Sequence, residues 1–150
     1  MMNSTLHTER AALVCLSETP LNIQEILDAV RAPECGGLAL FVGTVRNHSG
    51  GKSGVLWLEY EAYKSMALRK MQEIAATASQ LYPVKKLAIA HRVGRLEIGE
   101  DAVAIAVSTP HRKEAFAACK FIIDAIKTTV PIWKKEVFAD GAVWVDACTR

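Results

Sequence analysis

The chain has 150 residues, 51% of them hydrophobic, with 18 basic residues against 16 acidic ones and a net charge of +2. A chain of that length suits one domain, spanning residues 1–150, and buries enough surface to fold without disulfide or metal staples. Charge so near balance excludes a general polyanion binder, so any anion site has to be a local cluster.

The four cysteines, Cys15, Cys35, Cys119 and Cys148, form no C-x-x-C pair and read as reduced thiols of a cytoplasmic protein. The opening "MMNSTLHTERAALVCLSE" has no long apolar segment and carries Glu9 and Arg10 early, which argues against a signal peptide. No run of about 18 apolar residues implies a membrane span.

In chain order, "ALVCLS" (12–17) predicts a strand. "NIQEILDAVR" (22–31) follows the breaker Pro20 and carries Ile23, Ile26, Leu27 and Val30 at helical spacing. "GGLALFVGTVR" (36–46) is a strand opened by glycines, and "NHSGGKSG" (47–54) a polar loop. "VLWLEYEAY" (55–63) alternates Leu56, Leu58 and Tyr60 against Val55, Trp57 and Glu59, as a strand does. "KSMALRKMQEIAATASQLY" (64–82) is a helix with Ala67, Met71, Ile74, Ala78 and Leu81 on one stripe, ended by Pro83. "VKKLAIAHRVG" (84–94) and "DAVAIAVSTP" (101–110) are strands separated by "RLEIGE". "RKEAFAACKFIIDAIKTTV" (112–130) is a second long helix, with Phe116, Cys119, Ile123, Ile126 and Val130 expected inside and Pro131 as its stop. "IWKKEVF" (132–138) and "AVWVDA" (142–147) form a hairpin around Asp140-Gly141, a pair suited to a type I′ turn. The fold class is α+β, with about three helices and six or seven strands.

Gly51-Lys52-Ser53 looks like the end of a phosphate-binding loop, but the glycine needed five positions earlier is Arg46, and a strand follows instead of a helix. The histidines, His7, His48, His91 and His111, lack metal-ligand spacing. His91-Arg92 reads as a surface pair, whereas His111-Arg112 in "STPHRKEAF" opens a helix, whose N-terminal N–H groups favour an anion. Lys113, Lys120 and Lys127 recur every seven residues, usually a solvated stripe with Asp124 as a partner. Lys127 differs, because Pro131 forces a turn that can bring Lys134 alongside it. Two ammonium groups held close repel, which eases deprotonation of one and suits acid–base work. The plainer reading has Lys127 offsetting the helix dipole.

Five stretches in order, "FVGTVRNH" (41–48), "LEYEAYKSMA" (58–67), "IAHRVGRLEIGE" (89–100), "STPHRKEAF" (108–116) and "IKTTVPIWKKE" (126–136), resemble the large, catalytic subunit of molybdopterin synthase. The resemblance covers roughly residues 36–147. It implies an α/β hammerhead fold with an additional small antiparallel β subdomain. It implies a sulfurtransferase that turns cyclic pyranopterin monophosphate into the dithiolene of molybdopterin. The sulfur would come from the C-terminal Gly-Gly thiocarboxylate of a small ubiquitin-like subunit, and the assembly would be a heterotetramer around a central homodimer. By motif, Lys127 and Lys134 would be catalytic. Thr44, Val45, Arg46, His111, Arg112, Lys135 and Glu136 would bind substrate. No cofactor, metal or nucleic acid is implied. Some relatives carry an arginine after "WV-[D/E]-A", where this chain has Cys148. The alternative is a non-catalytic anion- or RNA-binding module using the same basic cluster. It would tolerate Lys→Arg, which a catalytic lysine does not.

Overall fold

The computed structural model describes residues 12–146. Cys148 lies outside them. A mixed four-stranded sheet has the order β1 (Ala12–Ser17), β6 (Lys86–Arg92), β8 (Asp101–Thr109), β2 (Gly37–Thr44). The β1–β6 pair is parallel, and β6–β8 and β8–β2 are antiparallel. Helices α2 (Lys64–Leu81) and α3 (Arg112–Thr129) cover one face, and the short α1 (Ile23–Val30) covers β6 and β8 on the other.

The sequence of β8 explains this asymmetry. Its odd positions Val103, Ile105 and Val107 join the large core, with Met71 and Ile74 of α2 and Ile122 and Ile126 of α3. Its even positions Ala104 and Ala106, with Ala88 and Ala90 of β6, face Ile26 and Val30. Side chains alternate across a strand, so alanine on every second position leaves room for a helix to sit close. Asn22 caps α1 by accepting a hydrogen bond from the Glu25 amide at 3.0 Å.

The second sheet is antiparallel, in the order β10 (Gly141–Asp146), β9 (Ile132–Phe138), β5 (Val55–Ala62), β7 (Gly94–Glu97). Leu58, Tyr60, Leu96 and Ile132 from it share the large core with the first sheet and its helices. The sheets meet where α3 ends. Val130 precedes Pro131 and takes the extended conformation (φ −85°, ψ 127°) that a following proline enforces. The chain then enters β9 directly.

The α+β class and the small antiparallel sheet match expectation, and five details differ. "RLEIGE" is not merely a separator, because Gly94–Glu97 pairs with β5. The 47–54 loop holds a hairpin of β3 (His48–Ser49) and β4 (Lys52–Ser53), so the described residues contain ten strands. A register shift between Val55 and Trp57 breaks the alternation of β5, leaving Leu56 exposed while Val55, Leu58 and Tyr60 are buried. Leu81 (58% exposed) and Phe116 (68% exposed) lie outside the core, and Ala115, Ala118 and Ile122 fill the inner stripe of α3. In the β9–β10 hairpin Phe138 pairs with Gly141, so the loop residues are Ala139 and Asp140. Neither has positive φ, whereas Gly141 does (φ 140°), so Asp140-Gly141 is not the centre of a type I′ turn.

Candidate active site

The inner face of the second sheet carries polar groups where a core would have none. In the β5–β9 ladder, Tyr60 stands opposite Lys134 and Leu58 opposite Glu136. Directly paired residues share a face, as do residues two apart on a strand, so Tyr60, Lys134 and Glu136 are neighbours. Lys134 Nζ lies 3.3 Å from Glu136 Oε2, and Glu136 is only 4% exposed. Burial, reinforced by the Glu136 charge, pushes the Tyr60 phenol up to about 12.

Tyr60 packs edge-on against His91 at the end of β6, with ring centroids 5.0 Å apart. His91 is 2% exposed, and its Nδ1 lies 2.7 Å from the carbonyl oxygen of Arg92. A carbonyl only accepts, so Nδ1 carries the proton and Nε2 keeps its lone pair. Burial, helped by the positive charge of Lys127, holds the imidazole down at about 4. Lys127, in the last turn of α3, is thus within electrostatic reach of the ring. The two lysines arrive from different elements: Lys134 stands opposite Tyr60, and the charge of Lys127 is felt at His91. Lys134 is ion-paired with Glu136.

Arg92 is also buried, at 4% exposed. Its Nη1 donates to Glu100 Oε1 at 3.1 Å and its Nη2 to the Arg95 carbonyl at 3.4 Å, while Nε has no partner. The expected surface character of His91-Arg92 is therefore wrong. The available signal was the apolar run "KLAIA" leading into it, since a strand buried on both faces carries its last residues inside too.

The remaining candidates divide between two ends of the first sheet. Thr44, the last residue of β2, pairs with Asp101, and it and Arg46 just beyond the strand are exposed. Val45 between them is buried; its amide donates to the Glu100 carbonyl (3.0 Å) and its carbonyl accepts from Gly99 (2.9 Å). This is the Lys127 end, since His91 pairs with Val103 nearby. His111 and Arg112 are exposed at the opposite end, against Gly37 at the start of β2. Arg112 and Lys127 are fifteen positions apart on one helix, roughly 22 Å along its axis. One chain does not bring them together.

Lys135 lies on the other face of β9, with its Nζ 3.5 Å from Glu59 Oε1 and between the rings of Trp57 and Trp144. Lys120 is the solvated member of its stripe, paired with Asp124 at 2.7 Å. Lys52 bonds Asp140 at 3.2 Å and sits over Phe138, so Gly51-Lys52-Ser53 ties the small hairpin to the β9–β10 turn and opens no helix.

A mixed sheet flanked by helices, joined to an antiparallel sheet where the half-buried Lys127 and Lys134 lie near a buried Tyr60–His91 pair, defines the class: an α+β protein with basic groups at the junction of its two sheets. A family model described as MoaE protein matches residues 16–129. The molybdopterin synthase catalytic subunit of Halalkalibacterium halodurans is 47% identical over 130 residues, covering 87% of this chain and 83% of the relative. The crystal structure of molybdopterin synthase from Staphylococcus aureus superposes with a TM-score of 0.82 at 36% identity, over 91% of this chain and 97% of that one. A protein–protein complex of subunits 1 and 2 of molybdopterin-converting factor from Helicobacter pylori shares the fold, with a TM-score of 0.72 at 22% identity over 91% and 90% of the two chains. The chain belongs to the MoaE family.

Proposed function

We propose that this protein is the catalytic subunit of a cytoplasmic molybdopterin synthase. It is a single-domain enzyme that moves sulfur from the C-terminal thiocarboxylate of a small ubiquitin-like partner to cyclic pyranopterin monophosphate. The observation that carries this reading is a buried Tyr60–His91 pair with Lys134 opposite Tyr60 and the charge of Lys127 reaching His91, in a chain of this family. The thiocarboxylate sulfur adds to a carbonyl-level side-chain carbon of the pterin, whose oxygen takes the electron pair. That oxygen is protonated and leaves as water together with the adjacent C–H proton. A second water then cleaves the acyl–sulfur bond, leaving the sulfur on the pterin and returning the partner's carboxylate. Oxyanion charge develops at both steps. A lysine fixed in a dry site stabilises such charge, and a second one moves the protons.

Arg46 and Thr44, exposed beside this cluster, hold the substrate phosphate by charge-assisted hydrogen bonds. Val45 anchors that segment through its backbone. Glu136 fixes Lys134, and Lys135 contributes through the strand, since its ammonium group is turned to Glu59. His111 and Arg112 act on the substrate held by a second copy, in the central homodimer of a heterotetramer.

The test is incubation with a thiocarboxylated Gly-Gly partner and the pterin monophosphate, assayed for dithiolene. Wild type should turn over, and Lys127→Ala and Lys127→Arg should both lose nearly all activity. Turnover by Lys127→Arg close to wild type would mean that charge alone matters, as in a binding module. A partner extended by one bulky residue should not deliver sulfur, because only a glycine tail passes through a close-packed channel.

A further inference from the structure

The chain passes from the first sheet to the second just after Arg92. His91 is the last residue of β6 paired with β8, Arg92 the last paired with β1, and Gly94, at φ 90°, opens β7 in the second sheet. At this crossing the buried Arg92 reaches over the turn that follows. Its Nη2 donates to the Arg95 carbonyl at one end of the turn and its Nη1 to Glu100 Oε1 at the other. Glu100 Oε2 accepts from the Glu97 amide at 2.8 Å, so one carboxylate ties the guanidinium to the turn's backbone. The turn in its own right holds Val45. The Glu100 carbonyl accepts from the Val45 amide at 3.0 Å, and the Gly99 amide donates to the Val45 carbonyl at 2.9 Å. The end of β2 relies on that support, because its register with β8 shifts between Gly43 and Thr44. Past the shift, Thr44 and Arg46 are exposed side chains, placed by the backbone that carries them.

We infer that Arg92 is a positioning residue for the 44–46 segment: paired with Glu100 it fixes the 95–100 turn, whose backbone fixes Val45 and with it the places of Thr44 and Arg46. An arginine suits this task because its planar fork presents donors in fixed directions, where a lysine offers a point charge. A carboxylate suits the other half, since it accepts from Arg92 and from the Glu97 amide at once, whereas a glutamine has a single acceptor oxygen. The inference rests on the proposed phosphate contacts of Thr44 and Arg46, but the clamp itself can be read without turnover.

Amide hydrogen exchange reads the clamp. In Arg92→Met, which keeps an unbranched apolar stem, the Val45 and Gly99 amides should exchange roughly tenfold faster relative to the Ile105 amide, which reports opening of the whole first sheet. Val45 and Gly99 amides that keep their wild-type rates relative to Ile105 would overturn the clamp, whatever the enzyme does. Glu100→Gln changes a partly exposed side chain, and the same criterion applies to it if Arg92→Met does not fold. In the activity assay, Arg92→Met should raise KM for the pterin monophosphate roughly tenfold, within the ten- to hundredfold that one charge-assisted contact is worth, with kcat within a few-fold. In a Thr44→Val/Arg46→Ala background, which lacks both side-chain contacts, the same substitution should leave KM within about twofold. A purely structural Arg92 would give another pattern: a lower kcat with KM unchanged, or the same rise in KM in both backgrounds. If wild type showed no sulfur transfer, the functional reading would fail while hydrogen exchange still decided the clamp.

Discussion

At the scale of single residues, the site is costly to build and its pieces depend on one another. Glu136 and Lys134 are both largely inside, and their pairing at 3.3 Å offsets part of the cost of burying two charges. Lys134→Ala therefore does two things: it removes one of the two lysines proposed as catalytic and leaves a buried carboxylate without its cation. We expect it to lower stability by roughly 3–5 kcal/mol. The double variant Lys134→Ala/Glu136→Gln should regain most of that stability and none of the activity, as denaturant melts and turnover of both variants can establish. If the single variant is as stable as wild type, the pair is not bearing on the fold. His91 gives a second residue-scale expectation. Its folded value is held near 4, against 6.5 for an ordinary histidine, so below about pH 6.5 the unfolded chain binds a proton that the folded chain refuses. Stability from this group is complete above that pH and is lost as the pH falls towards 4, by roughly 3 kcal/mol in all. Stability of His91→Phe measured against wild type between pH 4 and 7 should lack this slope.

At the scale of elements, most of the fold was legible because the strands and long helices carry clear periodicity and the prolines mark their ends. What escaped was local. A bulge in β5 changed which side of the strand faces in after Val55, and no composition signal announces a bulge. Leu81 and Phe116 sit at helical spacing but on turns that the described residues leave exposed. The turn at Pro131, which leads from the helix end carrying Lys127 straight into the strand carrying Lys134, was legible. The Tyr60–His91 pair was not, because it joins side chains of two strands that belong to different sheets and lie far apart in sequence. The start of α3 depends on a small residue. A Cβ on Gly37 would stand 2.9 Å from the His111 carbonyl carbon and 3.0 Å from the Arg112 nitrogen, both backbone atoms that cannot swing aside. Gly37→Ala should cost about 1–3 kcal/mol, as overpacking does, and displace the first turn of α3. Since that turn carries Arg112 but lies far from Lys127, KM for the pterin should rise while kcat stays within a few-fold. A large fall in kcat alone would place Arg112 in the chemistry instead.

At the scale of the whole molecule, the basic residues assigned to one substrate lie at two ends of one sheet. Lys127, Lys134 and Arg46 are at the end where β8 begins, and His111 and Arg112 at the end where it finishes. No side-chain motion spans roughly 22 Å, so either the distant pair has no part in binding or a second copy supplies it. A two-fold dimer resolves this, because symmetry turns the second chain end for end and repeats every contact twice. The strand at the edge of the first sheet suits that arrangement. β2 reads "GLALFVGT", with no charge or proline to blunt it, and exposes Leu38, Leu40 and Phe41. The consequence can be measured by mixing two proteins that are each nearly inactive at pterin concentrations well below KM. There, Lys127→Ala has lost turnover and Arg112→Ala has lost binding, so each spoils every site in its own homodimer. In a mixed dimer one site takes an intact Lys127 and an intact Arg112 from different chains, while the other takes both defects. After unfolding and refolding the two variants together, half the dimers are mixed and each has one good site, so about a quarter of wild-type activity should return. Recovery of that size would assign His111 and Arg112 to the partner's substrate. Activity no greater than the average of the two variants would confine the site to one chain and remove the distant pair from it.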